Sequence, residues 1–179
     1  MSSRLVTPAV PTPIPFEEFE RRYAGSAQAV EYWHGEVVEK PVPTWLHSVL
    51  EAVLVEALRH AGYKTGPEVD LRLSREFAPR PDVIAGRRSI ETRYPTDPSQ
   101  VEIVVEVLSP DDKMLDVLAK CKEYVALGIE QVYVADPESE TAWTWNRDRR
   151  QLDRTETWTL TNGVSIALAD VWRDLQERR

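Results

Sequence analysis

The stretch Val-Glu-Ile-Val-Val-Glu-Val-Leu (residues 101–108) is the strongest strand signal in the chain. Its nearly continuous apolarity indicates a central strand that is buried on both faces. The next four residues, Ser-Pro-Asp-Asp (residues 109–112), end this strand, and apolar residues then recur at helical spacing from about Lys113 to Leu127. A second buried strand is predicted from Gln131 to Ala135. This strand–helix–strand order favours a parallel crossover within a mixed sheet.

Shorter elements flank this unit on both sides. Before it, the patterns predict a helix over residues 16–23, one or two strands around Gly35, a helix that Thr44 caps, and strands over residues 63–73 and 81–85. After it, they predict strands over residues 141–145 and 155–160 and a closing helix over residues 168–176. The predicted fold class is therefore mixed α/β (α+β), with a mixed β-sheet flanked by helices.

Length and composition limit the class of protein. With 179 residues, the chain is expected to form one domain over residues 16–179, preceded by a flexible Pro-rich arm over residues 1–15. The single cysteine, Cys121, excludes an internal disulfide and a zinc site built from cysteines. No apolar run is long enough to span a membrane, and the N-terminus lacks the apolar core of a secretory signal. We therefore predict a cytoplasmic protein without a membrane partner.

The acidic balance of the chain argues against a protein that coats nucleic acid. The formal net charge is −8 and the isoelectric point is near 5.0. Binding of the phosphate backbone normally requires a surplus of lysine and arginine. An enzyme that binds DNA through a local basic surface around an acidic metal site is still compatible with these numbers.

Two carboxylates and one lysine are the candidate catalytic residues. Glu106 lies inside the apolar strand, where an unpaired charge is costly, and Asp82 follows Pro81 at the start of another strand. Lys120 lies on the following helix, four residues after Asp116 and four before Tyr124. Carboxylates are the ligands that Mg²⁺ prefers, and a nearby lysine can orient water or stabilise a developing negative charge.

The order of these residues resembles a known family. The motif residues are Pro81-Asp82, Glu106-Val-Leu-Ser-Pro110, Asp116-x-x-x-Lys120-x-x-x-Tyr124, Gly128-Ile129 and Tyr133-Val-Ala-Asp-Pro137, with Glu31, Gly35-Glu36 and His47 upstream. Together they resemble the Uma-two family of restriction-endonuclease-like proteins, within the PD-(D/E)XK nuclease superfamily. The resemblance covers roughly residues 16–136 well and the C-terminal strands more loosely.

The resemblance implies a restriction-endonuclease-like sheet and a metal-dependent cleavage of DNA. Asp82 and Glu106 would bind Mg²⁺ or Mn²⁺, and the protein would act as a homodimer. The superfamily pattern places its lysine two residues after the glutamate, where this chain has Leu108. Lys120 is the candidate replacement, as in the Uma-two pattern, because its long side chain can reach in from a helix.

Several positions are open to a functional and an ordinary interpretation. Glu31 either extends the acidic site or is a surface carboxylate, and His47 either supports the site or faces solvent at the start of its helix, the second being slightly favoured. Arg80, Arg87 and Arg88 are candidates for phosphate contacts, although arginine-rich segments usually form solvated faces. Because Leu108 replaces the expected lysine, an inactive nuclease fold that serves as an interaction or oligomerisation module is the alternative function.

Overall fold

The computed structural model describes residues 13–90 and 92–179, so most of the predicted Pro-rich arm at residues 1–15 lies outside the described part. The helices are α1 (Phe16–Tyr23), α2 (Trp45–His60), α3 (Met114–Ala126) and α4 (Leu168–Glu177). The strands are β1 (Val30–Trp33), β2 (Glu36–Glu39), β3 (Lys64–Pro67), β4 (Phe77–Ala78), β5 (Val83–Gly86), β6 (Ile103–Val107), β7 (Gln131–Asp136), β8 (Thr141–Asn146), β9 (Gln151–Arg154), β10 (Thr157–Thr159) and β11 (Ser165–Ala167). In this part of the chain, none of the helices combines the length and the apolar character that a membrane span requires.

The main sheet has six strands in the order β3-β5-β6-β7-β8-β9. Strands β6 and β7 pair in parallel, and the other neighbours in this sheet pair antiparallel. All residues of β6 are buried, because this strand has a neighbour on each edge and helices over both faces. The predicted mixed α/β class and the parallel crossover from β6 through α3 to β7 are confirmed.

The two faces of β6 belong to two different apolar clusters. Ile103, Val105 and Val107 pack with α2 and α4 on one face. Val104 faces the opposite layer, which α3 covers with Val117, Cys121 and Tyr124. Burial of each such side chain contributes on the order of 2 kcal/mol, so the alternation along β6 holds the helices on opposite faces. Glu106 has the same parity as Val104 and therefore faces α3.

A small sheet in the order β2-β1-β4 lies beside the main sheet. His34 and Gly35 both have positive φ, of 48° and 99°, which is the conformation of a two-residue hairpin turn between β1 and β2. Val30 and Tyr32 of β1 pack with Phe19 of α1. Because side chains alternate along a strand, Glu31 points away from that cluster.

Some element boundaries differ from the sequence-based expectation. The strand expected over residues 63–73 ends at Pro67, where the next residue, Glu68, has a φ of 53°. That left-handed conformation turns the chain out of the sheet. Strand β9 was not expected, because its polar residues belong to a solvent-exposed edge strand without apolar alternation.

The rate at which a reagent labels the single cysteine reports on the packing of α3 against the sheet. Cys121 is fully buried, and burial together with the nearby Glu106 charge raises the pKa of its thiol to about 12. We expect a thiol reagent at about pH 8 to label native protein very slowly, since only the thiolate reacts. In concentrated guanidinium chloride, the same chain should label rapidly and to completion. Rapid labelling of the native protein would contradict the packing described for α3.

Candidate active site

Asp82 and Glu106 meet at one end of the β5–β6 pair. Val83 lies opposite Val105, so Asp82 and Glu106 face each other one step beyond the last paired residues. The backbone N–H of Val107 donates a hydrogen bond of 2.6 Å to Asp82 Oδ2. Both carboxylates line the same cavity, which has a volume of about 390 Å³. The sheet therefore brings together the two residues predicted to share a site.

Helix α3 supplies the partners of Glu106. Lys120 Nζ lies 3.1 Å from Glu106 Oε2, and the hydroxyl of Tyr124 donates a 2.6 Å hydrogen bond to Oε1. Lys120 and Tyr124 are four residues apart, so they share a helical face. Lys120 thus reaches the carboxylate from the helix, as the resemblance implied.

Glu31 joins this group from the small sheet. Its Oε1 lies 2.9 Å from Lys120 Nζ and accepts a 2.9 Å hydrogen bond from the backbone N–H of Arg80. The indole of Trp33 donates a 3.1 Å hydrogen bond to Oε2. Because Glu31 is only 2% exposed, its interpretation as a surface carboxylate is wrong.

Lys40 is a site residue that sequence reasoning missed. Its ammonium group lies 2.7 Å from Asp82 Oδ1 and 3.0 Å from Glu68 Oε1, and it donates a 2.9 Å hydrogen bond to the carbonyl of Arg80. These three contacts use the three N–H donors of the ammonium group. Lys40 lies in an irregular segment before Pro41, where no periodic pattern relates it to Asp82, so no sequence signal could have found it.

His47 occupies the inner side of the site, together with a second missed residue, Glu51. The imidazole is only 6% exposed, so the interpretation of His47 as a solvent-facing residue is wrong. Its Nδ1 lies 3.0 Å from Ser109 Oγ, while Nε2 lies 3.4 Å from Glu51 Oε1 and 3.5 Å from Asp82 Oδ1. Glu51 follows His47 by four residues within a predicted helix, so the two side chains share a helical face. That spacing was the sequence signal that could have identified Glu51.

The ionisation of these groups depends on burial and on charged neighbours. Burial disfavours the charged form of Asp82, but His47 and Lys40 outweigh that cost and hold the pKa of Asp82 well below its usual range. Burial raises the pKa of Glu106 to about 7, against the opposing attraction of Lys120. For His47, burial alone would lower the pKa, yet the carboxylates of Asp82 and Glu51 raise it to about 9.

Negative charge exceeds positive charge in this site. Four carboxylates are buried here, those of Glu31, Glu51, Asp82 and Glu106, and two lysine ammonium groups contact them. With four ionised carboxylates and His47 protonated, as its raised pKa favours at neutral pH, the difference is one negative charge. His47 Nε2 and Glu51 Oε1 are also buried without a hydrogen-bond partner among the described residues. Both observations fit a site for a divalent metal ion.

The profile of the Uma2 family, described as "Putative restriction endonuclease", matches residues 16–176. The chain belongs to the Uma2 family. A crystal structure from Anabaena variabilis ATCC 29413, titled as "a putative nuclease belonging to DUF820", has a similar fold. Its TM-score is 0.72 at 17% sequence identity, over 91% of this chain and 99% of that chain. A search of curated proteins gave no significant match.

The three arginines predicted to contact phosphate lie in two places in this Uma2 chain. Arg87 and Arg88 follow β5 at the end of the sheet opposite to Asp82, and Arg87 contacts Glu102 through its side chain and its backbone N–H. Arg88 contacts Ser99. Arg80 lies near the site, but its guanidinium binds Asp70 at 2.5 Å. Arg87 and Arg88 are therefore not beside the carboxylate cavity, and phosphate contacts by the three arginines stay predictions.

Removal of the Lys120 ammonium group should destabilise the fold. In Lys120→Met, Glu31 and Glu106 lose a shared buried counter-charge, and we expect the free energy of unfolding to fall by about 3 to 5 kcal/mol. Urea unfolding followed by tryptophan fluorescence measures this change. The matched control is Lys122→Met, an exposed position on the same helix, which should shift stability by less than about 0.5 kcal/mol. Equal losses in both variants would contradict the role of Lys120.

Proposed function

We propose that this protein is a metal-dependent endonuclease that hydrolyses phosphodiester bonds in DNA. The observation that carries the proposal is the convergence of Asp82, Glu106 and Lys120 on one cavity, in a chain that belongs to the Uma2 family. In this proposal, Asp82 and Glu106 hold Mg²⁺ or Mn²⁺. A bound divalent ion supplies a polarised water molecule and neutralises charge on the phosphate.

The side chains around the cavity have distinct roles in the proposed hydrolysis. A water oxygen attacks phosphorus, the P–O bond to one sugar breaks, and the leaving sugar oxygen takes up a proton. Lys120 orients the water and stabilises negative charge on the phosphate oxygens. Tyr124 positions the carboxylate of Glu106 through its hydrogen bond. Glu31 positions the ammonium group of Lys120 through its ion pair. The proton that the attacking water loses passes to solvent, because the Glu106 carboxylate is a metal ligand in this proposal and both of its oxygens contact Lys120 or Tyr124.

The rim of the cavity makes DNA binding depend on the cation. Five carboxylates line the rim, from Glu36, Glu39, Asp111, Asp112 and Asp116. Among the described residues, Lys113 is the lysine that lines this outer part of the cavity. Such a rim repels a phosphate backbone by itself. A bound divalent ion reverses part of this repulsion, so we propose DNA affinity that is modest, sensitive to salt and increased by the metal.

The proposed biological unit is a homodimer in the cytoplasm. Trp45 and Leu115 are 72% and 78% exposed at the starts of α2 and α3, beside residues that line the cavity. Large exposed apolar side chains often mark a contact with another protein. Light scattering during size-exclusion chromatography should give twice the monomer mass, and Trp45→Glu should shift it to the monomer mass. A monomeric wild-type protein at high concentration would contradict this proposal.

A plasmid-cleavage assay tests the catalytic proposal. With Mg²⁺ or Mn²⁺, wild-type protein should cut supercoiled DNA, and Asp82→Ala and Glu106→Gln should reduce the rate by at least about a hundredfold, because each removes a metal ligand. The control variant is Asp170→Asn, an exposed carboxylate on α4, which should cleave at the wild-type rate.

The alternative function is an inactive nuclease fold that serves as an interaction or oligomerisation module. Lys40 favours it, because its ammonium group already neutralises Asp82. If wild type and Asp82→Ala show the same activity in the plasmid assay, including none, the catalytic proposal fails and this alternative is supported.

A further inference from the structure

The inner side of the site contains a group of three side chains that the proposed Asp82–Glu106 metal position does not use. His47 Nε2, Glu51 Oε1 and Asp82 Oδ1 lie close together, and one ligand atom from each residue is within 4.8 Å of the others. Glu51 does not line the open cavity, whereas His47 and Asp82 do. Glu51 is therefore the member of the group that lies away from the open cavity, and His47 and Asp82 lie between it and the cavity.

Two atoms of this group are buried without a hydrogen-bond partner. His47 Nε2 and Glu51 Oε1 find none among the described residues, although His47 and Glu51 are only 6% and 8% exposed. Their separation of 3.4 Å is too long for a good hydrogen bond. Buried polar atoms are normally satisfied by protein, water or an ion, so this pair indicates a missing ligand between them.

The distances between His47 Nε2 and the two carboxylates fit ligands of one metal ion better than partners in a hydrogen bond. Four-coordinate zinc, with bonds of about 2.1 Å to nitrogen and oxygen, separates neighbouring ligand atoms by about 3.4 Å. The distances from Nε2 to Glu51 and Asp82 are 3.4 and 3.5 Å. The Nδ1 of His47 contacts Ser109 Oγ at 3.0 Å, which orients the ring so that Nε2 faces the two carboxylates.

We propose that His47, Glu51 and Asp82 form a second cation site that takes a divalent transition-metal ion rather than Mg²⁺. This inference rests on the proposed metal-dependent function and names a further position for its ion. Imidazole nitrogen suits Zn²⁺, Fe²⁺ and Ni²⁺, whereas Mg²⁺ prefers oxygen ligands alone, and Mn²⁺ serves here as the paramagnetic probe of the site. Asp82 is shared with the proposed position at Glu106. Its Oδ1 also contacts Lys40 Nζ at 2.7 Å, and its Oδ2 accepts a hydrogen bond from the backbone N–H of Val107.

Binding of Mn²⁺ to the full-length protein tests this site independently of cleavage. Calorimetric titration should show Mn²⁺ binding at least tenfold tighter than Mg²⁺, and pulsed electron paramagnetic resonance of bound Mn²⁺ should detect coupling to an imidazole nitrogen. Glu51→Gln should weaken Mn²⁺ binding at least tenfold, and His47→Gln should remove the nitrogen coupling. Glu106→Gln should keep the nitrogen coupling, because that residue is not a ligand of this site.

Matched controls lie on the same helix. Glu56→Gln and His60→Gln change an exposed glutamate and an exposed histidine of α2, and both should bind Mn²⁺ as the wild type does. Circular dichroism of each variant verifies that the chain is folded. Conservative Glu51→Asp should restore part of the affinity that Glu51→Gln loses.

The outcomes separate this inference from the proposed function. Mn²⁺ that binds without nitrogen coupling, and whose affinity falls in Glu106→Gln but not in Glu51→Gln, would overturn the second site and leave the proposed nuclease intact. Nitrogen-coupled Mn²⁺ in a protein that never cleaves DNA would support the site and refute the nuclease. Absence of Mn²⁺ binding to the folded wild type would refute the site.

Discussion

The ammonium group of Lys120 joins three parts of the fold at one point. It contacts Glu106 from the central strand and Glu31 from the small sheet, while Lys120 itself belongs to α3. Each carboxylate is buried, so each needs a positive neighbour to remain ionised at modest cost. The small sheet, the main sheet and the helix therefore depend on the same buried ion pairs for their relative placement around the cavity.

Lys40 has the corresponding role at Asp82, but it leaves the charge balance incomplete. Lys40 contacts Asp82, and Lys120 contacts both Glu31 and Glu106. Neither lysine contacts Glu51, which lies 3.4 Å from His47 Nε2, a distance that is long for a hydrogen bond. Stability alone would favour full compensation or an apolar replacement. In the proposed function, this surplus of negative charge attracts the cation, so the cost in stability arises where the proposed chemistry occurs.

The carboxylates of the site and its rim account for part of the chain's net negative charge. The site and its rim contain many of the carboxylates in the N-terminal two-thirds of the chain, and Arg80 and Arg87 are paired with Asp70 and Glu102. Arg80, Arg87 and Arg88 therefore do not form a free basic surface at the cavity. Proximity in sequence suggested such a surface, but β5 carries the chain from Asp82 to the far end of the sheet before Arg87 and Arg88 begin.

The sequence alone determined the central β6–α3–β7 unit, the mixed sheet, and the choice of Asp82, Glu106 and Lys120 as candidate site residues. These follow from local periodicity, from the cost of a charge inside an apolar strand, and from a motif order that resembles the Uma-two family. The tertiary structure decided that Lys120 reaches Glu106. Only the tertiary structure decided that Lys40, Glu51 and Glu31 belong to the site, and that His47 is buried. Apart from the four-residue spacing of His47 and Glu51 on α2, no local pattern indicates these contacts, because they arise from how the small sheet and α2 pack against the end of the main sheet.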